Sequence, residues 1–274
     1  LFGLLGYGVL AMLLAVLYFL VDSLPPVWRW GLAVPSAALF VVGLTRQRVT
    51  ALLNATSLHA FYRDRLRDCY VQSEQPATLL AGRDADLPLR CLQQLQRLNG
   101  TALGPYHLLG TALNMTGSTD VRELDRKADA FLLSALYAGS SATGYAATSR
   151  YPELSLGSAL AISGSAFSPN QGSATNTSLA ILMTLLNARL GFWLANPKSF
   201  SGEAAKPPRT PPLFLYWKEM FGKASSQDRQ IYLSDGGHFD NSGIYELVRR
   251  RCKYIIAIDG SGEPSPKDVR FGTI

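Results

Sequence analysis

From Leu1 to Val21 the chain carries no charged residue. Nothing else in the sequence restricts the fold as much, because about 20 consecutive apolar residues let an α-helix cross roughly 30 Å of hydrocarbon. Asp22-Ser-Leu-Pro-Pro-Val-Trp-Arg29 then makes a short polar turn. Trp30 to Leu44 is a second apolar stretch, bordered by Trp28 and Trp30 where a bilayer interface would lie and interrupted by Pro35. The pattern predicts a transmembrane helical hairpin over residues 1–45. A cleaved signal peptide would need a basic start and a small-residue cleavage site, and the run has neither. A buried helical hairpin of a larger core is the alternative. Arg46, Arg48, Arg63, Arg65 and Arg67 follow the second stretch, whereas the turn between the two holds Arg29 offset by Asp22. The positive-inside bias therefore puts the body of the chain on the cytoplasmic side.

The 274 residues carry a net charge of +6. That balance suits nucleic acid or an anionic membrane surface. No Lys/Arg run interleaved with aromatics and no nucleic-acid motif occurs, so membrane lipids are the expected partner and nucleic acid is not. Cys69, Cys91 and Cys252 match no disulfide framework or zinc spacing. No His/Asp/Glu cluster has ligand spacing either, so neither a metal nor another cofactor is expected.

Val49 to Tyr70 has helical character and begins a juxtamembrane helical connection over residues 46–100, with a further helix expected near Leu87 to Leu98. Tyr106 to Asn114 reads as a strand or a short buried segment, with His107 among apolar neighbours as a hydrogen-bonded core histidine. Phe131 to Tyr137 is another apolar segment, followed by the small-residue loop Ala138 to Gly144. Ser178 to Ala195 is expected as a buried core helix, with a lipid-facing lid as the alternative, and Lys206 to Pro212 as a stiff exposed loop.

The last quarter of the chain is where chemistry is expected. Gln230-Ile-Tyr-Leu-Ser234 is β-prone and Asp235-Gly-Gly237 breaks it. Asn241 and Ser242 are good helix N-caps, Ile244, Leu247 and Val248 share a helical face, and Arg249, Arg250 and Arg251 suit a helix C-terminus. Tyr254-Ile-Ile-Ala-Ile258 is a continuous apolar run of the kind buried on both faces of a parallel sheet. The order is strand, loop, helix, strand. In such a unit functional residues gather at the carboxyl ends of strands, where Asp235 and Asp259 fall. Asp-Gly alone is an ordinary turn dipeptide, so the case rests on the longer stretch.

That stretch, Leu233-Ser-Asp-Gly-Gly-His-Phe-Asp-Asn-Ser-Gly-Ile-Tyr-Glu-Leu-Val-Arg-Arg-Arg-Cys-Lys-Tyr-Ile-Ile256, resembles the Asp-Gly-Gly region of patatin-like phospholipases. It is closest to the cytosolic phospholipase A branch and its bacterial membrane-inserted relatives. Leu160-Ala-Ile-Ser-Gly-Ser-Ala-Phe-Ser-Pro-Asn170, Pro105-Tyr-His107 and Phe131-Leu-Leu-Ser-Ala-Leu-Tyr137 are similar to other segments of that group, and the likeness covers roughly residues 100–274. The resemblance implies an α/β three-layer fold with a largely parallel sheet, of which residues 101–274 would be the C-terminal part. It also implies a serine–aspartate dyad: serine attacks an acyl ester, and aspartate activates first the serine and then the deacylating water. On that pattern Asp235 is the base, and Gly236 and Gly237 shape its loop and the oxyanion site. The family's Gly-x-Ser-x-Gly nucleophile elbow is missing; Gly139-Ser-Ser141-Ala-Thr143 fails at its last position. Ser163 and Ser165 are the resident candidates, and the resemblance puts the nucleophile upstream of Leu1. The expected function is a membrane-attached lipid acyl hydrolase of phospholipase or lysophospholipase type in a bacterial inner membrane. The alternative is a non-catalytic membrane scaffold or lipid-binding protein.

Overall fold

The computed structural model describes residues 23, 25, 49–71, 86–92, 97–98, 101–102, 105–118, 125–200, 210 and 212–258. In chain order the elements are α1 (Val49–Thr56), α2 (Leu58–Tyr70), β1 (Arg97–Leu98), β2 (Thr101–Ala102), β3 (Leu108–Asn114), β4 (Ala128–Ser134), β5 (Tyr137–Ser140) and β6 (Gly144–Ala147). They continue with α3 (Leu156–Ser163), α4 (Thr177–Leu185), β7 (Phe192–Ala195), α5 (Pro212–Met220), β8 (Gln230–Asp235) and α6 (Tyr245–Arg249). Local chemistry sets the helix starts. Ser57, Ser155 and Asn176 accept the backbone N–H of His59, Ser158 and Leu179 at the first turns of α2, α3 and α4. The Asp86 carboxylate adds a bond from Gly157 N–H at 3.0 Å and one from the Ser155 hydroxyl.

The main sheet has six strands in the order β6-β5-β4-β3-β8-β7, and every neighbouring pair is antiparallel. The expected parallel, three-layer sheet is therefore replaced by an antiparallel one. The strand–helix–strand unit also fails, for a geometric reason. β8 has β3 on one edge and β7 on the other, so no edge remains for a parallel partner arriving through α6. Tyr254 to Ile258 forms no strand, and Tyr254, Ile256 and Ile258 are 83%, 89% and 90% exposed. The small-residue stretch after Tyr137 is not a loop but the β5–β6 hairpin. Ser178 to Ala195 splits into α4 and β7, with Asn187 at φ +51° just after the helix end. Of the helix expected near Leu87 to Leu98, the described residues show a 3-10 turn, Leu89–Cys91, a helical Leu92 and then β1, while residues 93–96 lie outside the described residues.

One face of the sheet is sealed across its width. Leu109, Leu113, Phe131, Leu133, Ala138, Ala146, Ile231 and Leu233 pack there with Ala159 and Ile162 of α3. Each fully buried large aliphatic or aromatic side chain contributes about 1.5–3 kcal/mol. The other face is covered at its β7–β8 side, where Trp193 and Tyr232 meet Leu53 of α1 and Leu215 of α5. Over β5 and β6 Tyr137 and Tyr145 are exposed on that second face, whereas Leu132 and Ser134 of β4, on the same face, are buried.

Among the described residues no helix is long and apolar enough to cross a membrane. The 13-residue α2 carries Arg63, Asp64, Arg65, Arg67 and Asp68. The described residues thus supply no span for the expected integral-membrane architecture or for the placement in a bacterial inner membrane. The hairpin over residues 1–45 lies outside the described residues, apart from Ser23 and Pro25, as do the Lys206–Pro212 loop up to its last residue (Thr210 apart) and Asp259.

Candidate functional site

β8 is buried from Gln230 to Ser234 and surfaces at Asp235. Asp235 pairs with Thr111, the last rung of the β3–β8 ladder, while β3 runs on past it through Gly110 to Leu108. A cleft of about 510 Å³ opens alongside this overhang, lined by Asp235, Gly236, Gly237, Ser163, His107 and Glu246 among others. The Asp235 Oδ1 accepts the Gly237 N–H at 2.7 Å; the other carboxylate oxygen takes no hydrogen bond among the described residues.

Close approach requires glycine at 236, against backbone, and favours it at 237, against the tips of two side chains. A Cβ on Gly236 would meet the Gly110 carbonyl oxygen at 2.8 Å, and one on Gly237 would meet Asn241 Oδ1 at 2.8 Å and Asp235 Oδ1 at 3.1 Å. Because its N–H is held by Asp235, Gly237 shapes the loop and is not a spare oxyanion donor.

A polar chain beneath the loop fixes it. The Asn114 amide donates to Ser234 Oγ at 2.8 Å, and Ser234 Oγ lies 2.8 Å from His238 Nδ1. The Asn114 carbonyl accepts the Gly172 N–H at 2.9 Å. With the Asn114 amide donating to Ser234 Oγ, the Ser234 hydroxyl is left to donate to His238 Nδ1, which puts the proton of the neutral ring on Nε2. Burial lowers the His238 pKa below the ordinary histidine value, with the Asp235 charge opposing the shift. On the far side of the loop Asp240 holds the chain: Oδ1 accepts Ser242 N–H and Oγ–H, and Oδ2 accepts Tyr245 N–H at 2.9 Å. The capping role expected of Asn241 and Ser242 thus belongs to Asp240.

The two candidate serines separate cleanly. Ser163, at the end of α3, lines the cleft and donates to the Gly110 carbonyl at 2.7 Å. Ser165 is fully buried and donates to the Ile162 carbonyl at 2.7 Å. Neither hydroxyl donates to Asp235. His107 is exposed and lines the cleft, contrary to the core-histidine reading. Tyr62 went unnoticed in the sequence because it sits on α2, far along the chain. Its hydroxyl donates to the Gly164 carbonyl at 3.2 Å, and burial followed by the Asp235 charge raises its pKa. Glu246 was also missed; it lies among Arg249 and Arg250 and pairs with both.

The arrangement offers one carboxylate oxygen, free of hydrogen bonds among the described residues, to whatever occupies the cleft. Among the described residues no group of three or more His, Cys, Asp or Glu could hold a metal ion. Comparison with protein-family models, with curated proteins and with solved structures finds no match to this chain.

Proposed function

We propose that the protein is a hydrolase of lipid acyl esters, of phospholipase or lysophospholipase type, in which Asp235 is the general base of a serine–aspartate dyad. One observation carries this reading: Asp235 lines a cleft of about 510 Å³, held by the Gly237 N–H through one oxygen while the other is unbonded among the described residues. A base needs this combination of fixed position and an open lone pair. The resemblance of the loop to the patatin-like aspartate loop points the same way.

In this reading a serine hydroxyl gives its proton to Asp235 as its oxygen bonds the acyl carbon. The proton passes to the departing alcohol, leaving an acyl-serine. Water then gives a proton to Asp235 and attacks the acyl carbon, and the proton returns to the serine as the carboxylic acid leaves. The nucleophile is assigned outside the described residues, since the Ser163 hydroxyl is committed to the Gly110 carbonyl.

The test is fluorophosphonate labelling of the intact protein, with mass mapping of the labelled peptide. Wild type and Ser163→Ala are expected to label at one serine, and Asp235→Asn to slow labelling and ester turnover by about 10³- to 10⁴-fold. Undiminished labelling of Asp235→Asn would overturn the assignment. Absence of labelling in folded wild type would move the reading to a non-catalytic scaffold.

A further inference from the structure

Beside the Asp235 cleft lies a second pocket of about 350 Å³, which shares Tyr106, Leu108 and Leu132 with it. Ser134, Tyr137, Tyr145 and Arg250 complete its lining. It sits on the face of the sheet that carries Tyr137 and Tyr145. Tyr145 is opposite Gly139 on β5, two residues along from Tyr137, so both tyrosines are on one face. A Cβ at Gly139 would meet Tyr145 Cδ1 at 2.8 Å and the Gly144 carbonyl oxygen at 2.2 Å, which shows how closely the Tyr145 ring lies over the glycine.

The rings are held in place. Tyr106 donates its hydroxyl to Ser134 Oγ at 2.8 Å, and Ser134 in turn donates to the Tyr137 carbonyl at 2.6 Å. Arg249 donates to the Tyr145 hydroxyl at 2.8 Å. Yet Tyr106, Tyr137 and Tyr145 remain 46%, 56% and 44% exposed, so the sheet gathers three aromatic rings around one opening without covering them. Charge is also left over there. Arg249 and Arg250 share the single Glu246 carboxylate, which cancels one of the two positive charges.

Tyrosine faces attract cations, and an arginine beside them attracts an anion. The cation the pocket suits has no N–H to satisfy. The Ser134 hydroxyl, its small polar group, already accepts from Tyr106 and donates to Tyr137, so a primary ammonium would desolvate donors with little to receive them. A trimethylammonium group has no such donors. We propose that this pocket binds a phosphocholine group, its quaternary ammonium against Tyr106, Tyr137 and Tyr145 and its phosphate on Arg250. Resting on the hydrolase reading of the adjoining cleft, this makes choline phospholipids the substrate class.

Calorimetric titration of the intact protein with phosphocholine, phosphoethanolamine and inorganic phosphate tests it. Phosphocholine is expected to bind about tenfold more tightly than phosphoethanolamine. Tyr137→Leu should abolish that preference, Tyr137→Phe should keep it, and Arg250→Gln should weaken phosphocholine binding. Asp235→Asn should bind phosphocholine like wild type, so the pocket is read independently of turnover. Selective binding by a protein that cleaves no acyl ester would sink the hydrolase and leave the pocket standing. Equal affinity for all three probes, no binding by folded protein, or an unchanged preference in Tyr137→Leu would overturn the phosphocholine pocket.

Discussion

Two carboxylates at opposite ends of the covered part of the sheet are treated in opposite ways. Glu219 of α5 is completely buried and accepts from Arg189 Nη1 at 3.0 Å, Trp193 Nε1 at 2.8 Å and Thr184 Oγ1 at 3.4 Å. Burial pushes its pKa up, and Arg189 and the two other donors pull it back down. Arg189, also fully buried, is tied onward to the Leu53 carbonyl at 2.8 Å. Among the described residues Asp235 accepts one hydrogen bond, from a loop glycine, and lines a cleft. A carboxylate whose lone pairs are all answered is a structural element. One with an open oxygen at a cavity wall can still take a proton. The number of donors each receives, and not its residue type, separates the two roles.

The largest expected effect comes from breaking the saturated site. Glu219→Ala strands the Arg189 charge inside the protein and is expected to cost about 3–5 kcal/mol in urea unfolding. Asp235→Asn keeps shape and surfaces at a cleft, so its cost is expected below about 1 kcal/mol, with the loss appearing in activity. Comparable destabilisation by the two substitutions would erase the distinction.

Histidines repeat the contrast and sharpen it. His59 is sealed between α2 and β7: Nδ1 lies 2.7 Å from the Leu190 carbonyl, Nε2 has no partner among the described residues, and the ring meets Phe192 at 4.9 Å. Burial lowers its pKa from 6.5 to about 4. The unfolded chain therefore takes up the proton first as pH falls. The contribution to stability is complete above pH 6.5, is lost as pH drops toward about 4, and is flat below that. The loss is expected to be about 3 kcal/mol. Urea unfolding at pH 7 and pH 4.5 should show it in wild type, and His59→Gln should remove the step. A wild-type profile without that step would show that His59 is not sealed.

The strand Leu108–Asn114 and the strand ending at Asp235 were legible because each is a short β-prone run closed by turn residues. The Asp-Gly-Gly loop was legible for the same reason. Strand order was not, because it depends on which edges of β8 are already filled. Tyr254 to Ile258 has the composition of a central strand, and no local pattern reveals that β3 and β7 flank β8. Ser163 and Ser165 have near-identical neighbours, yet the end of α3 sends one to the cleft and the other into the core. The second pocket was hidden by small residues: Ala138, Gly139 and Ala146 look like loop but leave room for the rings of a hairpin.

Asp240 gives the smallest effect and the finest cut between the two kinds of carboxylate, because it is well bonded but lies beside the cleft. Its Oδ2 takes the Tyr245 N–H at the start of α6, where Ile244 offers no side-chain cap. Removing such a cap costs about 1 kcal/mol, so Asp240→Ala should lower unfolding stability by about that amount. Asp240→Asn keeps one acceptor oxygen and should lose less. The structural role predicts more than stability, because α6 carries Glu246 and, through it, the positions of Arg249 and Arg250. Phosphocholine affinity should therefore fall in Asp240→Ala and recover in part in Asp240→Asn, while the Asp235-dependent labelling rate changes less. If labelling instead fell as far as it does in Asp235→Asn, Asp240 would belong with the open carboxylates and bonding would cease to distinguish the two classes.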